Sequence, residues 1–243
     1  MESKRVVSWN IRHGGGDGER SARIREVLGR FDAEVLVITE FRANSGGERL
    51  KVYLSELGYY LSHPAIEPKL NTVLIASRSP IRAAGPLLGR EDLARRLWRI
   101  DLEWLSLCGV YMPLGQEKQP FWQALVDVAV AADMPDLVIG DFNTGSNVLD
   151  RTTGSTPFDL AEYMERMASL GYIDVWRLRH GDQRDYSWYS NHGGGFRLDH
   201  AFYRRDPTTV RTCEFDHKPR EASASDHSAL VLKFEFADEV ARR

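Results

Sequence analysis

The sequence predicts an α/β sandwich, with sheets of mixed or antiparallel pairing packed on one another and helices on their outer faces. Two observations predict it. Short β-branched or continuously apolar runs recur along the whole chain, while only about four segments carry helical spacing, and these are spread through the chain rather than gathered at one end. No internal repeat and no Pro-rich or low-complexity linker divides the 243 residues, so the whole of 1–243 is expected to be one domain.

The elements follow in order. Lys4 to Asn10 is a β-branched run that ends on a polar residue, shortly before Gly14, Gly15 and Gly16, so a strand delivers Asn10 to a loop. Ser21 to Phe31 places Ile24, Val27, Leu28 and Phe31 at helical spacing. Glu34 to Glu40 is apolar on both faces, as in a strand buried between layers, yet finishes on an acid. A helix is expected over Glu48 to Leu57. Strands are expected in TVLIASRSPI and in WRIDLEWLSLCGVYMP, the latter broken around Glu103 to Leu105. Lys118 to Ala132 reads as an amphipathic helix, Asp136 to Asp141 as a short buried strand ending in another acid, and Pro157 to Leu170 as a helix with Leu160, Tyr163, Met164 and Met167 on one stripe. RLDHAFY and SALVLKFEF supply the last strands.

Composition narrows the function classes. With 42% apolar and 28% charged residues, the chain is neither disordered nor fibrous, and no apolar run approaches the ~18 residues of a membrane span. The amino terminus lacks the apolar core of a secretory signal, so a cytoplasmic location is expected. Cys108 and Cys213 match no ligand spacing and read as reduced core thiols. A net charge of -3 argues against a nucleic-acid packaging protein, though an enzyme touching a few phosphates needs only local basic residues, for which Arg12, Arg42, Arg78, Arg95, Arg96 and Lys118 are candidates.

The chemistry is concentrated at strand ends. Asn10, Glu40, Asp141 with Asn143, Asp199, and Asp226 with His227 each sit at the end of a hydrophobic strand. If the sheets bring those ends together, carboxylates and amides converge around one imidazole. Such an oxygen-rich set suits Mg²⁺ or Mn²⁺ better than zinc and leaves positions open for phosphate oxygens. His200 should face away from Asp199 on a regular strand, and His13 and His192, in Gly-rich loops, are weaker candidates for substrate contact.

The segments VVSWNIR, VLVITEFR, LCGVYMP, LVIGDFN, GFRLDHAF and SASDHSAL, in that order, resemble the motifs of the endonuclease/exonuclease/phosphatase superfamily. The run DLAEYMERMASLGYIDVWR, then DYSWYS, then GGGFRLDHAFY, resembles its exonuclease III and apurinic endonuclease branch. The resemblance implies a DNase I-like four-layer α/β sandwich, two mixed sheets flanked by helices. It implies a monomeric hydrolase of phosphodiester bonds in duplex DNA, a 3′–5′ exonuclease and abasic-site endonuclease of DNA repair, dependent on Mg²⁺ with Mn²⁺ as substitute.

On the same resemblance, Glu40, Asp226 and the Asn10 amide hold the metal, and Asp141, positioned by Asn143, activates water. Asp199 keeps His227 protonated against the phosphate, and Tyr111 donates its hydroxyl to a phosphate oxygen. Trp188, Phe196 and Leu198 line a pocket for a flipped abasic sugar. Arg12 and Leu114 depart from the branch's pattern, the first where a second metal ligand often stands. The alternative is a metal-dependent phosphatase or phosphodiesterase acting on RNA or a small phosphorylated substrate. A non-catalytic binding module is disfavoured because Glu40, Asp141, Asp226 and His227 are all present.

Overall fold

The computed structural model describes residues 2–16 and 18–236. Its strands are β1 (Glu2–Asn10), β2 (Val35–Phe41), β3 (Tyr60–Ser62), β4 (Thr72–Ser77), β5 (Ala83–Pro86), β6 (Leu97–Asp101) and β7 (Ser106–Tyr111). They continue with β8 (Leu137–Asp141), β9 (Ile173–Asp174), β10 (Trp188–Tyr189), β11 (Gly195–Phe196), β12 (Asp199–Tyr203), β13 (Val210–Asp216) and β14 (Ala229–Phe236). The helices are α1 (Gly18–Phe31), α2 (Ser45–Glu56), α3 (Gln119–Val130), α4 (Glu162–Ser169), α5 (Val175–His180) and α6 (Lys218–Glu221).

Two six-stranded sheets result, in the orders β13-β14-β1-β2-β4-β3 and β5-β6-β7-β8-β12-β9, with a small β10-β11 ribbon beside them. Each large sheet is mixed. Strands β1 and β2 are parallel in one and β7 and β8 in the other, the remaining pairs being antiparallel.

The layering follows from period-two alternation within strands that are apolar on both faces. Val35 and Val37 of β2 point into the space between the sheets, with Val6, Val73 and Ile75, against Leu107, Leu137, Ile139 and Ala201 of the second sheet. Leu36 and Ile38 point the other way, onto Ile24, Leu28 and Phe31 of α1 and Leu50 and Leu54 of α2. On the far side, Cys108, Val110, Val138 and Phe202 meet Trp122, Leu125 and Val128 of α3 and Tyr163 and Met167 of α4. The order helices, sheet, sheet, helices is the four-layer sandwich expected. Both cysteines are free and buried, and burial pushes the Cys108 thiol up to about 12.

Two departures from the expected elements bear on function. The helix expected from Pro157 begins only at Glu162, because Leu160 is left-handed (φ 59°) and interrupts it. Residues 156–159 are freed to line a cavity. In β8, Gly140 adopts φ 151°, and a Cβ there would lie 1.9 Å from the Val110 carbonyl oxygen. Only glycine lets β8 run so close beside β7 immediately before Asp141.

Candidate active site

The two sheets bring their strand ends to one edge. In the second sheet, Tyr111 ending β7 is in register with Asp141 ending β8, and Asp141 is in register with Asp199 opening β12. Three neighbouring strand ends therefore carry a phenol and two carboxylates. The first sheet contributes Asn10 from β1, Glu40 from β2, and Asp226 and His227 just ahead of β14. Glu40 is itself left-handed (φ 56°), at an irregularity in the β2/β4 pairing that turns its backbone off the regular strand.

Asn10 joins the two halves. Its Nδ2 donates to Glu40 Oε1 at 3.1 Å and to Asp141 Oδ2 at 2.9 Å, while its Oδ1 accepts the Arg12 N–H at 2.8 Å. Asn10, expected to help hold the metal, turns its NH₂ to both carboxylates, while its oxygen accepts the Arg12 N–H of the following loop. Asp141 Oδ1 accepts the Asn143 backbone N–H at 3.0 Å, and the Asn143 side chain donates to the Met112 carbonyl. Burial and the nearby Asp199 charge raise the Asp141 carboxyl to about 7, against the opposing pull of His227 and these donors.

His227 Nδ1 lies 2.8 Å from Asp199 Oδ2, both residues buried. Burial alone would lower the imidazole, but the carboxylates of Asp199, Asp141 and Asp226 outweigh it and raise it to about 10. The ring is thus held as a cation facing the cavity. The Tyr111 hydroxyl is raised, first by burial and then by Glu40. Arg96 lies over the Tyr111 ring at 4.5 Å from its centroid.

These groups line one cavity of about 500 Å³, whose other wall is apolar: Phe158, Trp188, Phe196 and Leu198. Phe158 and Phe196 meet edge to face at 5.6 Å, Trp188 and Phe196 at 5.8 Å, and Trp188 Nε1 donates to Asp226 Oδ2 at 3.3 Å. All the expected site residues converge here, Asn10 and Asp199 as buried supports. His13 lines the cavity and His192 does not. His200 faces away and is buried, its Nε2 2.8 Å from the Thr144 carbonyl. Of the basic candidates, Arg12 reaches within 3.8 Å of Asp226, whereas Arg78 pairs with Asp32 and lies over Tyr59.

The sequence reading passed over Asn71 and named Lys118 only among candidate phosphate contacts. Asn71, in the turn before β4, donates from Nδ2 to Glu40 Oε2 (3.0 Å) and to the Tyr111 hydroxyl (3.2 Å) and accepts Arg42 Nε (2.5 Å). Lys118, a candidate for phosphate contact, is instead buried, its Nζ donating to the Asn143 carbonyl and to Thr144 Oγ1 (2.6 Å). Burial lowers it to about 8. Neither has a local signature, since an amide in a turn and a lysine before a helix are ordinary surface residues.

Deeper still, Arg197 is clamped between Asp150 (2.7 Å) and Asp174 (2.6 Å), and Arg177 adds a second cation to Asp150 at 2.5 Å. Asp150 also holds the Ser146 N–H at 2.7 Å. This network pins the 143–150 loop to the segment that leads into Asp199.

The donors fit a hard divalent cation in an open site. Among the described residues no three His, Cys, Asp or Glu side chains group so as to hold a metal ion, but Glu40 and Asp226 present two carboxylates to the same cavity. One or two protein carboxylates with water completing the shell is the arrangement magnesium takes.

The chain matches the Endonuclease/Exonuclease/phosphatase family over residues 7–227. Its fold is similar to that of the 3′ phosphatase NExo from Neisseria bound to product DNA hairpin, at TM-score 0.81 and 18% identity over 96% of this chain and 100% of that one. It is also similar to an AP endonuclease from Archaeoglobus fulgidus (0.80, 20%, 96% and 100%) and to the 3′–5′ exonuclease NExo from Neisseria meningitidis (0.80, 18%, 96% and 100%). At these identities the likeness is one of fold.

Proposed function

Because the chain belongs to the endonuclease/exonuclease/phosphatase family, we propose that it is a divalent-metal-dependent phosphodiester hydrolase acting on DNA, as a 3′–5′ exonuclease and abasic-site endonuclease. The observation that carries this reading is the two-sided cavity. One wall holds the buried Asp141 and His227 and the half-buried Tyr111, and the other is the aromatic recess of Phe158, Trp188 and Phe196. A phosphate needs the first wall, and an unstacked sugar beside it needs the second.

Within it, Asp141, raised to about 7, accepts a proton from the attacking water while Asn10 and the Asn143 N–H fix its two oxygens. His227, held as imidazolium by Asp199, binds the phosphate and the negative charge that grows on it. Tyr111 is set by Arg96 on its face and Asn71 on its hydroxyl, so its O–H is aimed before substrate arrives. Glu40 and Asp226 would hold the divalent cation, whose contribution when bound is to neutralise charge on the scissile phosphate. Arg12 beside Asp226 and Arg42 beside His13, next to residues that line the cavity, suit flanking phosphates.

The test is an end-labelled duplex carrying one abasic-site analogue, beside a duplex ending in a 3′ phosphate, each with Mg²⁺ or chelator. A Mg²⁺-dependent cut at the analogue, or a 3′ ladder, supports the reading. Removal of the 3′ phosphate alone points to a phosphatase on DNA ends, the activity named for the Neisseria relative. Intact DNA in every lane refutes DNA as the substrate.

A further inference from the structure

Phe158 is a wall of the recess, yet it lies outside any helix or strand, in the connection from β8 to α4. The left-handed Leu160 delays α4 until Glu162, so the helix does not support it. Loop side chains are by default the mobile part of a fold. This ring is nevertheless seated. It meets Phe196 edge to face at 5.6 Å, and a Cβ added to Gly145 would stand 3.1 Å from its Cε2.

What holds its backbone is one side chain. The Phe158 N–H donates to Asn147 Oδ1 at 2.7 Å, and Asn147 Nδ2 donates to the Phe158 carbonyl at 3.3 Å. The amide thus pairs with both backbone groups of a single residue, as a neighbouring strand would. That needs a donor and an acceptor side by side on a short arm, which a carboxylate or a hydroxyl does not offer in the same way. The two bonds also fix which end of the amide is oxygen, since a backbone N–H can only donate.

Asn147 is held in its turn. Asp150 accepts the Ser146 N–H at 2.7 Å and returns its own N–H to the Ser146 carbonyl at 3.0 Å, and Arg151 Nε donates to the Asn147 carbonyl at 3.0 Å. Asp150 rests on Arg197. The buried ion network therefore reaches the recess through Asn147, which does not itself line the cavity.

We propose that Asn147 is a positioning residue for the substrate's sugar: by clamping the Phe158 backbone it keeps the recess wall formed before an unstacked sugar enters. The proposal rests on the reading of the cavity as a site for DNA. A wall already in place spares the ordering that binding would otherwise require, and a displaced wall leaves the sugar, and the phosphate attached to it, poorly aligned with Asp141 and His227. Without the clamp, Phe158 should contribute nothing to turnover even though its ring is still present.

A double-mutant cycle on an abasic-site duplex tests this, because it separates action through Phe158 from general damage to the loop. Asn147→Ala and Phe158→Ala should each lower kcat/KM about tenfold, and the double variant should lie within twofold of Phe158→Ala. Amide hydrogen exchange, which needs no activity, should show the Phe158 N–H protected in the native protein and unprotected in Asn147→Ala. Losses that multiply in the double variant, or a Phe158 amide equally protected in Asn147→Ala, overturn the role of Asn147 and leave the DNA reading standing. A native protein that turns over no DNA overturns that reading and the proposal with it.

Discussion

Replacing Asp199 by Asn removes one negative charge and keeps the shape, and the geometry says what the loss is worth. The carboxylate oxygen lies 2.8 Å from His227 Nδ1. At an effective dielectric constant of about 20, a unit-charge pair at that distance is worth about 6 kcal/mol, or roughly four pKa units. The Asn oxygen still accepts a hydrogen bond from the charged ring worth about 2 kcal/mol, so the net fall is about three units. His227, near 10 in the native protein, should then titrate near 7. Asp199 also helps to raise Asp141, so the Asp141 carboxyl should fall in the same variant.

Because Asp141 acts deprotonated and His227 protonated, native activity should rise with pH through about 7 and fall through about 10. In Asp199→Asn both limbs move to lower pH, and at pH 8 kcat should drop about tenfold from the loss of imidazolium alone. The shift has a stability side. A cation whose folded value lies above its unfolded one stabilises fully below about 6.5, and that contribution is lost as pH rises towards 10. The assays are a pH–rate profile and an NMR titration of the His227 ring in both proteins. An imidazole that titrates within half a unit of the native value in Asp199→Asn would refute the argument.

The remaining predictions concern the scaffold and the recess. Arg197→Met leaves Asp150 and Asp174 buried with fewer cations and should cost about 3–5 kcal/mol at pH 7, measured by urea denaturation; a loss under 1 kcal/mol would contradict the network. Both carboxyls are held below their ordinary value by Arg197 and His200. Their stabilisation is therefore present above about pH 4 and lost as pH falls below it, which acid unfolding of the native protein should show. Gly140→Ala drives a Cβ into the Val110 carbonyl and should lower Tm by more than about 8 °C in a thermal melt, with activity falling in step. Trp188→Ala opens the recess and removes the Nε1–H bond to Asp226, and should weaken kcat/KM on an abasic-site duplex about tenfold, with weaker Mn²⁺ binding by calorimetry.

Strand ends were legible because a hydrophobic run that stops on Asn or an acid announces itself in one dimension. Asn10, Glu40 and Asp141 were visible for that reason and Asp199 because it opens such a run, and the continuous apolar run of β2 also showed a strand covered on both faces. Asn71 was invisible: it lies thirty-one residues from Glu40 in sequence, and only the β2/β4 pairing brings the two within 3.0 Å. Lys118 looked like a solvated charge because the sequence does not show that the turn before α3 tucks its ammonium beneath Asn143. The late start of α4 was missed because the stripe through Leu160 fits a helix, and the left-handed backbone there overrides it. The first residues of a helix are where such patterns say least.

The separation between strand ends and connecting loops divides the molecule's adaptability in two. The groups proposed to carry the chemistry are anchored in the sheets, and their spacing is set by how closely the two apolar inner faces approach. A Cβ at Gly109 would stand 2.7 Å from Val73 of the opposite sheet, so a methyl group in the core, far from any substrate, acts as a shim between Glu40 and Asp141. The recess wall at Thr156 to Asp159 and the rim at Leu114 belong to loops that bear none of that load. A lineage built this way can exchange one phosphorylated substrate for another by editing the rim, while the distances that govern hydrolysis are inherited intact from the interior.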